Sequence, residues 1–177
     1  MAELNRKSID GFKSAEKTPI VVVLDNIRSM NNVGSVFRTA DAFLIDRIVL
    51  CGFTPQPPHR DIQKTALGAT ETVQWIYQET TAAALSALHA EGYIIMAVEQ
   101  TEGSIMLDEL IIDPTKKMAL VFGNEVEGVS DEALALCDGC IEIPQSGMKH
   151  SLNISVATGI VLWECYKSFI GAYKQKK

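Results

Sequence analysis

The sequence predicts an α/β fold, a mostly parallel sheet flanked by helices. Three observations carry that expectation. Residues 20–24, Ile-Val-Val-Val-Leu, are an unbroken aliphatic run, the pattern of a strand buried on both faces. Val33, Val36, Phe37, Ala40 and Phe43 then recur at helical spacing, and residues 48–51 form a second apolar run. Strand, helix and strand thus follow one another in about thirty residues, the size of a βαβ unit. The same alternation continues along the chain, which indicates parallel strands linked by helices.

Each element has its own signal. Residues 1–18 are polar and aperiodic and read as an arm or a short capping helix. A first strand follows Pro19, and residues 25–31 are a polar loop. Asn32 is a good N-cap for the first long helix, which Asp46 and Arg47 are expected to close. Pro55, Pro57 and Pro58 then forbid helix. A helical turn over 62–69, a short strand over 73–77 and a helix over 82–90, stopped near Gly92, come next. Residues 93–98 and 118–122 are buried strands, with a turn at Asp113-Pro114 between them. Ser130 is expected to cap a short helix, 140–143 to form a further strand, and 152–173 to form the longest helix, with Ser151 as its N-cap. The expected organisation is one domain over 19–173, between an N-terminal arm (1–18) and a basic tail (174–177).

The chain has 177 residues, 47% apolar and 21% charged, enough to bury a core. No apolar run reaches 18 residues, so no membrane helix is expected, and the start lacks the apolar region of a signal peptide. Cys51, Cys137, Cys140 and Cys165 make no disulfide framework and read as reduced thiols in a cytoplasmic protein. Cys137 and Cys140 form one C-x-x-C pair, too few ligands for zinc, so no metal is expected. A redox role for that pair is a rival reading. His59 and His89 read as surface residues.

A net charge of -6 argues against nucleic acid only if the charge is evenly spread. It is not. Residues 1–64 carry nine Lys and Arg against seven acids, and 148–177 carry five Lys against Glu164. Residues 65–147 carry two Lys against fourteen acids. A fold that joins the flanks would give an acidic protein one basic face; the plain reading is that the acids solvate surface helices.

Ligands of parallel sheets bind beyond the carboxyl ends of the strands. Three segments lie there. In the first, Gly34 lets another group approach the helix, and Arg38 sits between Phe37 and Ala40. An Arg on a buried-looking helix needs a partner or an anionic ligand; a surface Arg beside a capping Asn is the plain alternative. In the second, Gly123 follows a strand directly, and Glu125 stands two residues on. Its G-x-x-x-x-G frame lacks the P-loop Lys, and no G-x-G-x-x-G occurs. In the third, Ser151, Asn153 and Ser155 crowd the head of an apolar helix, and His150 is a candidate RNA contact.

Together these segments resemble a known family. N-x-x-x-x-N-N-x-G-x-x-x-R-T-A from Asn26, F-G-N-E-x-x-G from Phe122 and I-x-I-P-x-x-x-x-x-x-S-L-N-x-S from Ile141 look like the three motifs of the SpoU (TrmH-like) RNA ribose 2′-O-methyltransferases of the SPOUT superfamily. The resemblance implies a C-terminal trefoil knot, here about 118–170, which no pattern argument reaches because knots are nearly absent from proteins. It implies a homodimer with the site at its interface. It implies S-adenosylmethionine (AdoMet) as methyl donor, lined by Val98, Gly123, Ile143, Met148, Ser151 and Leu152. The reaction implied is attack of a ribose 2′-hydroxyl on the donor's methyl group, with tRNA favoured over rRNA as substrate because no large N-terminal RNA-binding domain is present. Arg38, Asn32, Glu125, Ser151 and Asn153 would be the catalytic set. Guanidinium groups lose their proton only above about pH 12, so Arg38 as a base would need transient neutralisation with help from an RNA phosphate; the favoured reading is that it stays charged, orients the hydroxyl and stabilises negative charge. The final proton acceptor is not identified. The alternative from another class is a non-catalytic knotted protein that binds RNA or AdoMet.

Overall fold

The structure, a computed structural model, describes residues 8–148 and 151–175. Lys149, His150 and the end of the basic tail lie outside those residues, as does the start of the arm.

Within the arm, Ile9–Ser14 is a one-and-a-half-turn helix (α1) that buries Phe12. The βαβ unit follows as β1 (Thr18–Asp25), α2 (Met30–Ala42) and β2 (Ile45–Cys51). Two short helices, α3 (Arg60–Ala66) and α4 (Ala69–Thr72), lead to β3 (Gln74–Gln78). Next come α5 (Thr81–Ala90), β4 (Tyr93–Val98) and β5 (Ile105–Met106). The chain ends with β6 (Lys117–Phe122), α6 (Asp131–Leu134), β7 (Gly139–Glu142) and α7 (Ile154–Gln175).

Seven strands form one sheet in the order β3-β2-β1-β6-β4-β7-β5. Every strand pairing in it is parallel. The chain runs outward from β1 to β3, then crosses back and builds the other half. The reversal falls between β1 and β6, and at such a switch point the carboxyl ends leave a crevice.

The central strands are buried on both faces, as their continuous apolar runs require. Alternate residues serve opposite layers. Ile20, Val22 and Leu24 join Val36, Phe37, Val161 and Leu162 on the α2–α7 face. Val21 and Val23 join Leu85, Ile95, Ala119 and Val121 beneath α5 and α6.

Several expected boundaries move. Helix α2 starts at Met30, and its N-cap is Ser29, whose hydroxyl accepts the Asn32 N–H at 3.2 Å. Asn32 therefore spends only its backbone on the helix, and its side chain is free for other work. Asp46 and Arg47 do not close α2; both lie in β2, where Arg47 pairs with Asp46 and Glu91. Leu44, at φ 53°, makes the reversal instead.

Asn153, not Ser151, caps α7: its backbone carbonyl accepts from Val156 and Ala157, and its Oδ1 accepts the Ser155 N–H at 2.9 Å. Ser130 precedes α6, but its hydroxyl donates to Asp25 rather than capping the helix. The two-residue strand β5 gives no signal in the sequence, because it is too short to show a period. His59 is more than a surface residue, since its Nδ1 accepts the Asp61 N–H and caps α3.

Candidate functional site

At the carboxyl ends of β4, β6 and β7 lies a cavity of about 670 Å³. That size suits a small organic ligand or cofactor. Val98, Gly123, Ile143, Ser151 and Leu152 line it, as do Glu125 and Asn153. Met148 is not among the lining residues and is 85% exposed. The Pro144–Gly147 stretch carries it out to the surface, so the structure does not place it with the other expected cofactor contacts.

The wall is acidic. Glu99, Glu125, Glu127, Asp131 and Glu142 all contribute, and no Lys, Arg or His lines it among the described residues. These carboxylates belong to the acidic middle of the sequence, which therefore builds a site as well as solvating helices. They suit a cationic ligand and repel phosphate.

One loop closes the cavity over β6. Gly123 follows the strand, and a Cβ there would strike the backbone of Gly128 and Val129. The close approach that its glycine permits is thus made by the chain itself. Asn124 and Gly128 exchange backbone hydrogen bonds at 2.8 and 2.9 Å. The Asn124 side chain accepts from the Val126 and Glu127 amides and donates to the Asn26 carbonyl at 2.7 Å. Glu99, directly after β4, accepts the Val129 N–H at 3.0 Å and pins the far end of the loop.

This loop presents Glu125 to the start of α2. Its carboxylate accepts from the Arg28 amide (3.2 Å), the Ser29 amide (3.4 Å) and the Asn32 side-chain amide (3.1 Å). Asn32 Oδ1 in turn accepts from Asn153 Nδ2 at 3.2 Å. Residues from all three sequence segments are therefore joined in one chain, Glu125–Asn32–Asn153, at the edge of the cavity. Partial burial pushes the Glu125 carboxyl up. Hydrogen bonds from its own amide, Arg28, Asn32 and Ser29 outweigh that and hold it below the usual carboxylate range. A carboxylate so engaged is a holder of side chains and a poor proton acceptor.

Arg38 is not in this group. It is exposed on α2 and makes no hydrogen bond or ion pair among the described residues. Six helical residues place it about 9 Å along the axis and about 120° around from Asn32. The expected burial of Arg38 is therefore not found. Its neighbours Phe37 and Ala40 face the core, and Arg38 points the other way. The group that approaches Gly34 is α3: a Cβ there would strike the Ile62 carbonyl and the Thr65 hydroxyl.

Two supporting residues were missed in the sequence. Asp25 is 1% exposed and accepts from Asn26, Thr81 and both the amide and the hydroxyl of Ser130. Glu99 holds the loop as described. Each is an acid at the carboxyl end of a parallel strand, and that position was the available signal.

The cysteines are four free thiols. Burial, with Cys140 and Asp138 nearby, pushes Cys137 up to about 11, and its thiol donates to the Ala133 carbonyl. That shift runs opposite to the lowered value of a reactive redox thiol. No group of three or more His, Cys, Asp and Glu suited to a metal occurs among the described residues. No helix among them is long and apolar enough to cross a membrane.

Residues 19–163 match the model of the SpoU rRNA Methylase family. The chain belongs to that family. A 23S rRNA (guanosine-2′-O-)-methyltransferase from Vibrio parahaemolyticus is 31% identical over 170 residues, 96% of this chain and 68% of that protein. A tRNA (guanosine(18)-2′-O)-methyltransferase from Thermus thermophilus is also 31% identical over 170 residues, 96% of this chain and 86% of that protein. Among solved SpoU-type folds, an AdoMet-bound rRNA methyltransferase from Sinorhizobium meliloti superposes with a TM-score of 0.80 at 28% identity. That match covers 92% of this chain and 61% of the other, so this SpoU chain spans about three fifths of that relative's length.

Proposed function

We propose that the protein is an AdoMet-dependent RNA methyltransferase that modifies a ribose 2′-hydroxyl. The observation that carries this reading is the contact chain Glu125–Asn32–Asn153 set on the rim of the acidic cavity. The cavity fits AdoMet in size and charge, because its five carboxylates face a ligand bearing a sulfonium and an ammonium. Bound there, AdoMet supplies an electrophilic methyl group. Val98, Gly123, Ile143, Ser151 and Leu152 would hold it.

The chain's own residues then have separate tasks. Glu125 fixes Asn32, and Asn32 fixes Asn153, so two amide side chains meet the ribose in a set geometry. Ser151 stands on the same rim. Arg38 stays charged, orients the hydroxyl and stabilises the negative charge that develops on its oxygen.

Arg38 reaches the site from a second copy of the chain. Val156, Ile160 and Trp163 form an exposed apolar stripe on α7 at helical spacing, and α7 packs beside α2. A dimer formed on this stripe would bring α2, the neighbour of α7 that bears Arg38, near the partner copy. The trefoil knot over about 118–170 belongs to the same reading. Support comes from the path: β6 enters between β1 and β4, β7 pairs beyond β4, and α7 returns to α2.

tRNA is the favoured substrate in this reading, and relatives named for tRNA and for rRNA both match this chain at 31% identity. The free thiols are consistent with the cytoplasm. The test is incubation with methyl-labelled AdoMet and total tRNA or rRNA, followed by alkaline hydrolysis. Label in alkali-resistant dinucleotides supports the reading, since a 2′-O-methyl group blocks cleavage. AdoMet binding without transfer to either RNA favours the non-catalytic binding protein instead.

A further inference from the structure

Beside the contact chain stands an aromatic ring that the proposed reaction does not use. Phe53 follows β2 and is 57% exposed. Of the other exposed aromatics, Trp163 leans on Phe43 and Tyr77 sits on the edge strand β3. Phe53 instead projects at the carboxyl end of the sheet, with the Arg28 guanidinium carbon 5.8 Å from its ring centre.

Both residues are fixed by their backbones. The Phe53 amide donates to Asn26 Oδ1 at 3.2 Å. Thr54, 2% exposed, donates from its hydroxyl to the Leu24 carbonyl and accepts the Ile27 N–H. The Arg28 amide donates to Glu125 at 3.2 Å, which places this residue one hydrogen bond from the contact chain. An exposed ring held by a buried threonine is preorganised for something outside the molecule.

We propose that Phe53 and Arg28 form a stacking slot for one unpaired nucleobase of the RNA, next to the ribose that is modified. The proposal rests on the RNA methyltransferase reading above. Unstacked RNA bases lie on aromatic rings and on guanidinium planes. Aromatic layers stack about 3.4 Å apart, so a base between the two groups needs about 6.8 Å. The present 5.8 Å requires the exposed Arg28 side chain to yield by only about 1 Å. Charge agrees. The acidic cavity repels phosphate, whereas Arg28 and, on α3, Arg60 and Lys64 are exposed cations. The α3 helix is tied to the start of α2 by the Thr65 hydroxyl on the Asn31 carbonyl.

Phe53→Ala, Phe53→Leu, Phe53→Trp and Arg28→Ala test this, with thermal melting and AdoMet titration as checks on folding. Binding to fluorescein-labelled total tRNA and total rRNA is measured together with methyl transfer. Phe53→Ala and Phe53→Leu are expected to weaken RNA binding by about 5- to 150-fold, the range for losing one stacked base. Phe53→Trp should stay within about two-fold, and Arg28→Ala should weaken binding in the same direction. AdoMet affinity should not change. Leu is the telling variant, because it keeps apolar bulk and loses the π face. If Phe53→Leu binds RNA like the wild type while the wild type transfers methyl, the slot is wrong and the enzyme reading stands. If the wild type binds RNA and the variants weaken that binding, but no methyl is transferred, the slot stands and the enzyme reading falls. If the wild type neither binds nor methylates either RNA, both fall.

Discussion

Removing the Glu125 carboxylate should separate catalysis from stability. Glu125→Ala deletes one acceptor and frees three donors, the Arg28 and Ser29 amides and the Asn32 side chain. In a buried setting each bond to a charged group is worth about 1.5–3 kcal/mol. These three lie at the surface, where water replaces the lost acceptor, so the expected total is only about 1–2 kcal/mol. For a chain of 177 residues that is a fall in Tm of roughly 2–8 °C. The effect on rate is larger. Without Glu125, Asn32 loses its 3.1 Å anchor, and the Asn32–Asn153 bond loses its fixed end. Misplacing a positioning group by about 1 Å costs on the order of 100-fold. Melting, AdoMet titration and steady-state methyl transfer measure the three quantities. The expected result is a small melting shift, AdoMet affinity lowered by no more than about ten-fold as one of five cavity carboxylates is lost, and kcat down about 100-fold. A kcat within three-fold of the wild type would refute the positioning argument.

Other outcomes follow from the same geometry. Gly123→Ala drives a methyl into the Gly128 and Val129 backbone, so the loop must retreat from the cavity and AdoMet binding, read by calorimetry, should weaken at least about ten-fold. Asp25→Asn puts an amide where a buried carboxylate accepts four hydrogen bonds; urea unfolding should show a loss of about 2–4 kcal/mol, and a loss under 0.5 would contradict it. Because the folded Glu125 carboxyl lies below its ordinary value near 4.5, the folded state binds fewer protons than the unfolded state just below that pH. Its contribution is therefore present above about pH 4.5 and lost as pH falls further, and acid titration of Glu125→Gln should lack that loss.

The strands were legible because both faces of the sheet are buried. The Ile-Val-Val-Val-Leu run of β1 and the apolar runs of β4 and β6 need no partner to be read. The cap positions were not, because Ser29 and Asn32 are equally good caps, and only the fold decides which one is needed elsewhere. The same competition moved the α7 cap from Ser151 to Asn153. The site was legible as three motifs in order, not as contacts. Asn32 meets Glu125 and Asn153 across 93 and 121 residues, distances that no local pattern spans. Charge was informative only by segment: the acidic stretch supplies the cavity wall, and none of the cations of residues 28–64 lines it. Arg38 shows the limit. Helical spacing gave it buried neighbours, but a helix residue flanked by core positions can still face solvent.

In the proposed reaction Arg38 acts on the ribose hydroxyl and not on the methyl donor. The most direct test is one paired measurement on Arg38→Ala: methyl transfer from labelled AdoMet to RNA, and AdoMet affinity by calorimetry. Transfer should fall to background, with AdoMet affinity within a few-fold of the wild type. Transfer at the wild-type rate, or an equal loss of AdoMet affinity, would contradict that role.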